Sequence, residues 1–285
     1  MLDGAAMSAA EPAYATLSIS RQGGKTTITI DHPPLNLLDL ALMTDLDRLG
    51  RELEADRETR VAVFRSANPD YFIAHADVRL IQQLPQQAPP RSQELSFFHA
   101  IVERFRTLRC ATIGVIEGRA RGGGSEFLLS LDMRFGAVGR CIVGQPEVAL
   151  GIIPGGSGTQ RLARLLGRGR ALEAVLGCGD FDAEAAERYG WIDRALPASE
   201  LWSFVDALAA RIASFPAEAI ALAKRAVDAA EGTVREGLLE EAHCFDLSVA
   251  TPEARSRMAA FLEAGGQDPQ VELDIGALFA RLASS

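Results

Sequence analysis

Two glutamates and two glycine-rich turns are the residues of this 285-residue chain whose types and spacing could do chemistry. Glu126 closes the run Arg119-Ala120-Arg121-Gly122-Gly123-Gly124-Ser125-Glu126. Glycines leading from a strand into a helix can aim backbone N–H groups at one spot and stabilise an oxyanion. A glutamate in the helix's first turn faces the positive end of the helix dipole, though it could equally do no more than satisfy that helix's own amides. Glu147 interrupts the apolar run CIVGQPEVALGII at 141–153. An acid there is costly to bury unless paired or used, and burial would lift its pKa toward the range useful in proton transfer; a solvated loop position is the alternative. The turn Gly151–Gln160 (GIIPGGSGTQ) opens a helix bearing Arg161, Arg164, Arg168 and Arg170. It could hold an anion at the helix N-terminus, or simply exploit glycine's backbone freedom. It lacks the Gly-Lys-Ser/Thr of a phosphate-binding loop. A fourth segment, YFIAHADV at 71–78, carries His75 and Asp77, the latter a candidate helix cap.

Several elements must position these residues. Tyr14–Ser20 and Lys25–Asp31 alternate around Arg21-Gln22-Gly23-Gly24 and predict a hairpin, which His32-Pro33-Pro34 stops. Apolar spacing predicts a helix over 39–55 capped by Asp39, a strand over 60–65, a helical stripe over 92–108, and a strand over 111–117. A helix start over 125–131 and a strand over 132–138 follow. The prolines at 85, 89 and 90 predict an irregular excursion over 84–92, of the kind that often serves as a lid. Beyond about residue 160 strand signals largely vanish, and helices are expected at 161–177, 183–189, 198–214, 217–230, 232–249 and 252–264. The alternation of strand and helix indicates an α/β class.

Composition excludes several functions. The formal net charge is −9, with 29 Lys plus Arg against 38 Asp plus Glu, which argues against a nucleic-acid partner. Only Lys25 and Lys224 are lysines. No run approaches the ~18 apolar residues of a spanning helix, and residues 1–14 do not read as a signal peptide, so no membrane partner is expected. Cys110, Cys141, Cys178 and Cys244 are scattered without a CxxC pair. That pattern indicates neither a disulfide framework nor structural zinc, and a reducing cytoplasm is the expected location.

Taken together and in this order, four stretches resemble the crotonase superfamily, the enoyl-CoA hydratase/isomerase family. They are ITIDHPPLNLLDL at 28–40, FIAHADV at 72–78, EGRARGGGSEFLLSLDMRFGA at 117–137 and GQPEVALGIIPGGSGTQRLARLLG at 144–167. The resemblance implies the ClpP/crotonase fold, a spiral of repeated ββα units with a C-terminal helical trimerisation region. On that basis residues 1–13 are an extension, 14–205 the spiral core and 206–285 the helical assembly region. It implies an acyl-CoA thioester as substrate, no metal or further cofactor, since coenzyme A is part of the substrate, and a homotrimer or a hexamer built as a dimer of trimers. By motif match the oxyanion-hole amides are those of Ala76 and Gly123, within a substrate-contacting set of Ala74, His75, Ala76, Asp77, Val78, Gly122 and Gly123. Glu126 maps onto the acid that activates water and Glu147 onto the acid that moves a proton at C2.

The expected activity is therefore hydration of a trans-2-enoyl-CoA. An isomerase, another CoA-thioester enzyme of this fold, or a catalytically silent acyl-CoA-binding subunit are the alternatives. Having both glutamates favours the hydratase, because the isomerase branch usually keeps only the one matching Glu147. Two departures from the family stand out. His75 occupies a position usually held by glycine, where its side chain could narrow the thioester path or meet a CoA phosphate. The tail FLEAGGQDPQVELDIG at 261–276 lacks the usual basic run.

Overall fold

The computed structural model describes residues 13–228 and 234–283. The expected extension, 1–13, lies outside them except for Ala13. Strands β1 (Leu17–Gln22) and β2 (Lys25–Ile30) form the predicted hairpin. Gly23 and Gly24 both have positive φ, +57° and +83°, the turn whose twist matches that of the flanking strands. The remaining strands are β3 (Val61–Ser66), β4 (Tyr71–Ile73), β5 (Ala111–Ile116), β6 (Arg119–Arg121), β7 (Met133–Ala137), β8 (Ile142–Gly144), β9 (Asp180–Asp182) and β10 (Arg194–Leu196).

Each repeat sends its first strand to one sheet and its second to another. The six-stranded sheet runs β1-β2-β3-β5-β7-β10, parallel from β2 onward, and the four-stranded sheet runs β4-β6-β8-β9. The pairs β3β4, β5β6 and β7β8 each lead into helical segments: Val78–Gln82 and Phe97–Arg106, then Gly123–Leu129, then Gly158–Leu166 and Arg168–Gly177. This is the ββα spiral implied by the family resemblance. Strand β5 is buried along its whole length, as a central parallel strand covered on both faces must be.

The core is set by apolar periodicity. The helix Leu40–Ala55 is capped by Asp39, whose side chain accepts from the Leu42 N–H, and buries Leu42, Leu46, Leu49 and Leu53. Phe64, Phe105 and Phe127 meet edge to face with centroids 5.2–5.5 Å apart, the geometry favoured by ring quadrupoles. Both lysines tie distant parts together. Lys25 pairs with Asp206 at 3.0 Å. Lys224 pairs with Asp132 at 2.7 Å and donates to the Cys110 carbonyl at 2.8 Å.

The structure corrects several expectations. Strands do continue beyond residue 160: β9 and β10 are three residues each, too short to show alternation, and exist because neighbouring strands pair with them. The helix expected over 161–177 is two helices meeting at Gly167, which has φ +78°. The helix expected over 92–108 is confined to Phe97–Arg106 and starts at Ser96, whose hydroxyl caps it. Helices run over Ala217–Asp228 and Val234–Val249, while the parts of those expectations at 229–233 lie outside the described residues. Two further helices, Pro269–Glu272 and Ile275–Ala283, were not foreseen. Asp268-Pro269 is the signal that could have found the first, an N-cap followed by proline at N1. Among the described residues no helix is long and apolar enough to cross a membrane. Replacing Phe105 with alanine removes a fully buried ring from the aromatic cluster and is expected to cost ~3–5 kcal/mol in a denaturant titration.

Candidate active site

The site is built where β4, β6 and β8 end side by side. The Arg121 N–H donates to the Ala74 carbonyl at 3.1 Å and the Gly122 N–H to the Gly144 carbonyl at 3.0 Å. The residues just past these ends therefore lie a strand spacing apart, although 20 or more positions separate them in sequence. Leu38 brackets Ala76 in a parallel bridge: its N–H donates to the His75 carbonyl at 2.9 Å and its carbonyl accepts the Asp77 N–H at 3.1 Å. The alternation of such a bridge leaves the Ala76 N–H out of the ladder. Gly123 is the first residue of its helix, so its N–H has no intrahelical acceptor.

These two amides are close. A Cβ placed on Gly123 would lie 3.6 Å from the Ala76 nitrogen and 2.8 Å from Leu38 Cδ2, so a side chain there would have to displace Leu38. Gly122 has φ +48° and ψ −126°, a conformation essentially reserved for glycine, and a Cβ on it would come within 2.6 Å of Glu147 Oε1. Asp77 caps the next helix by accepting from the Arg79 N–H.

Glu126 is buried, and its Oε1 accepts from the N–H groups of Gly156 and Gly158, both at 2.8 Å. The turn at 151–160 does hold an anion at a helix N-terminus, and that anion is the chain's own carboxylate. Its glycines are needed for space: a Cβ on Gly156 would meet Glu126 Oε2 at 2.7 Å and Phe98 Cε1 at 2.3 Å. The neighbouring arginine serves structure, since Arg161 pairs with Glu103 at 3.0 Å. Glu147 opens a short 3-10 helix, Glu147–Leu150, and is half-buried. The fully buried Gln145 amide, with its nitrogen turned toward the carboxylate, donates to both Glu147 oxygens at 3.2 and 3.1 Å.

One cleft of about 460 Å³ gathers the Ala76 and Gly123 backbones, Asp77, Glu126 and Glu147. Much of its remaining lining is apolar, with Leu80, Ile81, Leu84, Phe98 and Phe245. Leu84 and Ser92 bring both ends of the proline-rich excursion to its edge. Ala74, Val78 and Gly122 stand behind the wall: Ala74 in the strand pairing, Val78 in an apolar cluster with Leu150 and Ile152, and Gly122 against Glu147. Among the described residues no group of three or more His, Cys, Asp or Glu is arranged to hold a metal ion. Burial pushes the thiols of Cys110 and Cys141 up to about 11 and about 12, which leaves them poor nucleophiles.

Sequence reasoning missed the residues that pack under His75–Asp77. His75 turns onto the short helix Pro269–Glu272, where its Nε2 lies 3.0 Å from Glu272 Oε1, while its Nδ1 lies 2.9 Å from the Ala76 carbonyl. Glu272 is completely buried and also accepts the Gln267 N–H at 2.8 Å. The Gln267 amide in turn donates to Asp77 at 2.9 Å. Glu272 gave no local signal: it sits in a polar stretch, and its burial follows only from the docking of the tail. Gln145 could have been suspected as a buried amide next to the acid at 147.

The model of the enoyl-CoA hydratase/isomerase family matches residues 20–269. The "Probable enoyl-CoA hydratase echA8" of Mycobacterium bovis is 32% identical over 252 residues, covering 88% of this chain and 96% of that one. The short-chain-enoyl-CoA hydratase of Clostridium acetobutylicum is 30% identical over 247 residues, covering 86% and 94%. A crystal structure from Streptomyces avermitilis is 40% identical, with a TM-score of 0.88 over 96% of this chain and 100% of that one. A family match spanning most of the chain, on a fold whose paired strand ends gather the family's motif residues into one cleft, shows that the protein belongs to the enoyl-CoA hydratase/isomerase family and has the crotonase fold.

Proposed function

We propose that the protein adds water to trans-2-enoyl-CoA thioesters. The observation that carries this reading is the meeting of two glutamates and two adjacent unladdered N–H groups in one cleft with a largely apolar lining. The thioester oxygen sits between the Ala76 and Gly123 N–H groups. Attack at C3 drives charge onto that oxygen, and fixed N–H dipoles stabilise the enolate without reorganising. Glu126, oriented by the Gly156 and Gly158 amides, takes one proton of the water as its oxygen bonds to C3. Glu147, steadied by Gln145, delivers a proton to C2, and passage of the proton from Glu126 to Glu147 restores the starting state. The apolar lining, including Phe98 and Phe245, takes the acyl chain. The relatives named as enoyl-CoA hydratases support the same assignment.

The chemistry calls on no metal and no cofactor beyond the coenzyme A of the substrate. A homotrimer, or a dimer of trimers, is part of the proposal. Leu165, Leu172, Leu176, Leu222 and Val227 support it, large apolar side chains left exposed on helices of a single chain. Four cysteines without a disulfide support a reducing, cytoplasmic setting.

Following the loss of the conjugated thioester absorbance with trans-2-enoyl-CoAs of increasing length tests the activity. Turnover at one or more lengths is expected, and its absence at every length removes the hydratase reading; binding without turnover would identify a silent subunit. Glu126→Gln and Glu147→Gln are each expected to lower kcat by ~10²–10⁴. Turnover that survives both would exclude the mechanism. Gly123→Ala, which pushes a methyl against Leu38 and displaces the oxyanion amides without removing them, is expected to lower kcat by up to ~10².

A further inference from the structure

We propose that His75, held as a cation by Glu272, is a positioning residue of the oxyanion hole: it fixes the peptide segment that carries the Ala76 N–H and places a positive charge behind it. The inference rests on the reading that this N–H meets the thioester oxygen.

The geometry defines the charge state. His75 Nδ1 faces the Ala76 carbonyl at 2.9 Å and Nε2 faces Glu272 Oε1 at 3.0 Å. The Ala76 carbonyl is an acceptor, and so is Glu272 when ionised; an imidazole ring satisfies two acceptors only when both nitrogens carry protons. Glu272 needs the cation as much. It is completely buried, and among the described residues its Oε1 accepts from the ring and the Gln267 N–H while its Oε2 has no hydrogen-bond partner. An isolated carboxylate in that setting would be strongly disfavoured. The His75 carbonyl is also fixed, accepting the Leu38 N–H at 2.9 Å. The residue is thus pinned at its ring and at its own carbonyl, and the ring grips the carbonyl of the next residue, on either side of the amide that faces the cleft.

The other charged groups around the ring do not replace this pairing. Arg121 approaches from β6, but its guanidinium is engaged by Asp180 at 2.7 Å twice, and its Nη1 donates to the Glu272 backbone carbonyl at 3.2 Å. Glu147 lines the same small cavity as His75. Asp77, next along the loop, is held by Gln267, which Arg79 also contacts. The Tyr71 phenol donates to the Pro269 carbonyl, and the Phe261 ring covers one side edge to face.

Burial works against the charged form of His75, yet the Glu272 hydrogen bond and charge and the Ala76 carbonyl outweigh it, and its pKa lies above the ordinary value. Burial likewise works against ionised Glu272, and His75 together with the Gln267 N–H and Arg121 brings it below the usual carboxylate range. The two signs define the window. A raised histidine contributes fully below its unfolded pKa and is lost as pH rises through its folded value. A lowered carboxylate contributes fully above its unfolded pKa and is lost as pH falls through its folded value. The pair is therefore fully present between the ordinary carboxylate and ordinary histidine values, and breaks as pH rises through the raised value of His75.

Two readouts test this in wild type, Glu272→Gln and His75→Gln. The first is the pH dependence of kcat and KM for enoyl-CoA hydration. The second is the NMR shift of an isotope-labelled thioester carbonyl in a bound saturated acyl-CoA, which senses hydrogen bonding at the oxyanion hole without turnover. Wild-type kcat is expected to fall on the alkaline side with the titration of the His75 ring. Glu272→Gln is expected to move that fall to lower pH and to lower neutral-pH kcat by about tenfold to a hundredfold, with KM nearly unchanged. His75→Gln is expected to abolish the alkaline fall, and both variants are expected to shrink the carbonyl shift. Unchanged pH profiles and an unchanged shift in both variants would overturn the inference while leaving the hydratase reading intact. No wild-type turnover with a shift that both variants shrink would do the reverse. No shift in wild type would remove both the Ala76 assignment and the inference.

Discussion

Two backbone N–H groups are withheld from the fold's own hydrogen bonding, and the rest of the molecule is organised around keeping them that way. A peptide N–H buried without a partner costs roughly as much as a lost hydrogen bond, so neither group could persist in an arbitrary loop. At Ala76 the alternation of the parallel bridge with Leu38 turns the amide out of the ladder. At Gly123 the start of a helix does it. The two are brought together because β4 and β6 are adjacent parallel strands that end at the same level. Three-residue strands suffice for this, since their task is to set register and not to build a wide sheet.

The acids are placed by the same means. Glu147 follows β8, the next strand along, and Glu126 projects from the helix that Gly123 begins. Glu126 is oriented by a turn whose backbone would suit a bound anion from outside, and the carboxylate fills it from within. Ser157, with φ +106°, carries backbone strain of order 1–3 kcal/mol, sustained because the N–H groups on either side of it both serve Glu126. Behind the segment His75–Asp77 the stretch that leads into and through the short helix Pro269–Glu272 performs a comparable role through Gln267 and Glu272. The cleft is thus supported by elements from across the chain, including a tail far from it in sequence.

Much of this was legible in the residues. The long elements followed from apolar spacing and caps: the hairpin, the helix begun by Asp39, and the fully apolar strand at 111–116. The glycines and the two glutamates drew notice because their types were out of keeping with their surroundings. The second sheet was visible only through the family resemblance, because no three-residue strand shows a period of its own. The break at Gly167 was hidden inside a continuous amphipathic pattern. Glu272 was hidden for a deeper reason: a carboxylate's burial depends on a tertiary partner 197 positions away, and nothing local distinguishes it from a solvated acid.

The near absence of lysine has a chemical consequence. Acyl thioesters are acylating agents, and a free primary amine near one is a target for uncatalysed transfer. This chain offers only two side-chain amines. One is ion-paired with Asp206, and the other is held by Asp132 and the Cys110 carbonyl. Both amines are thus engaged by acceptors of the fold itself. Arginine, which carries nearly all the positive charge, keeps its proton throughout the pH range of life. The choice of cation thus leaves the surface nearly inert toward the class of molecule its cleft is shaped to receive.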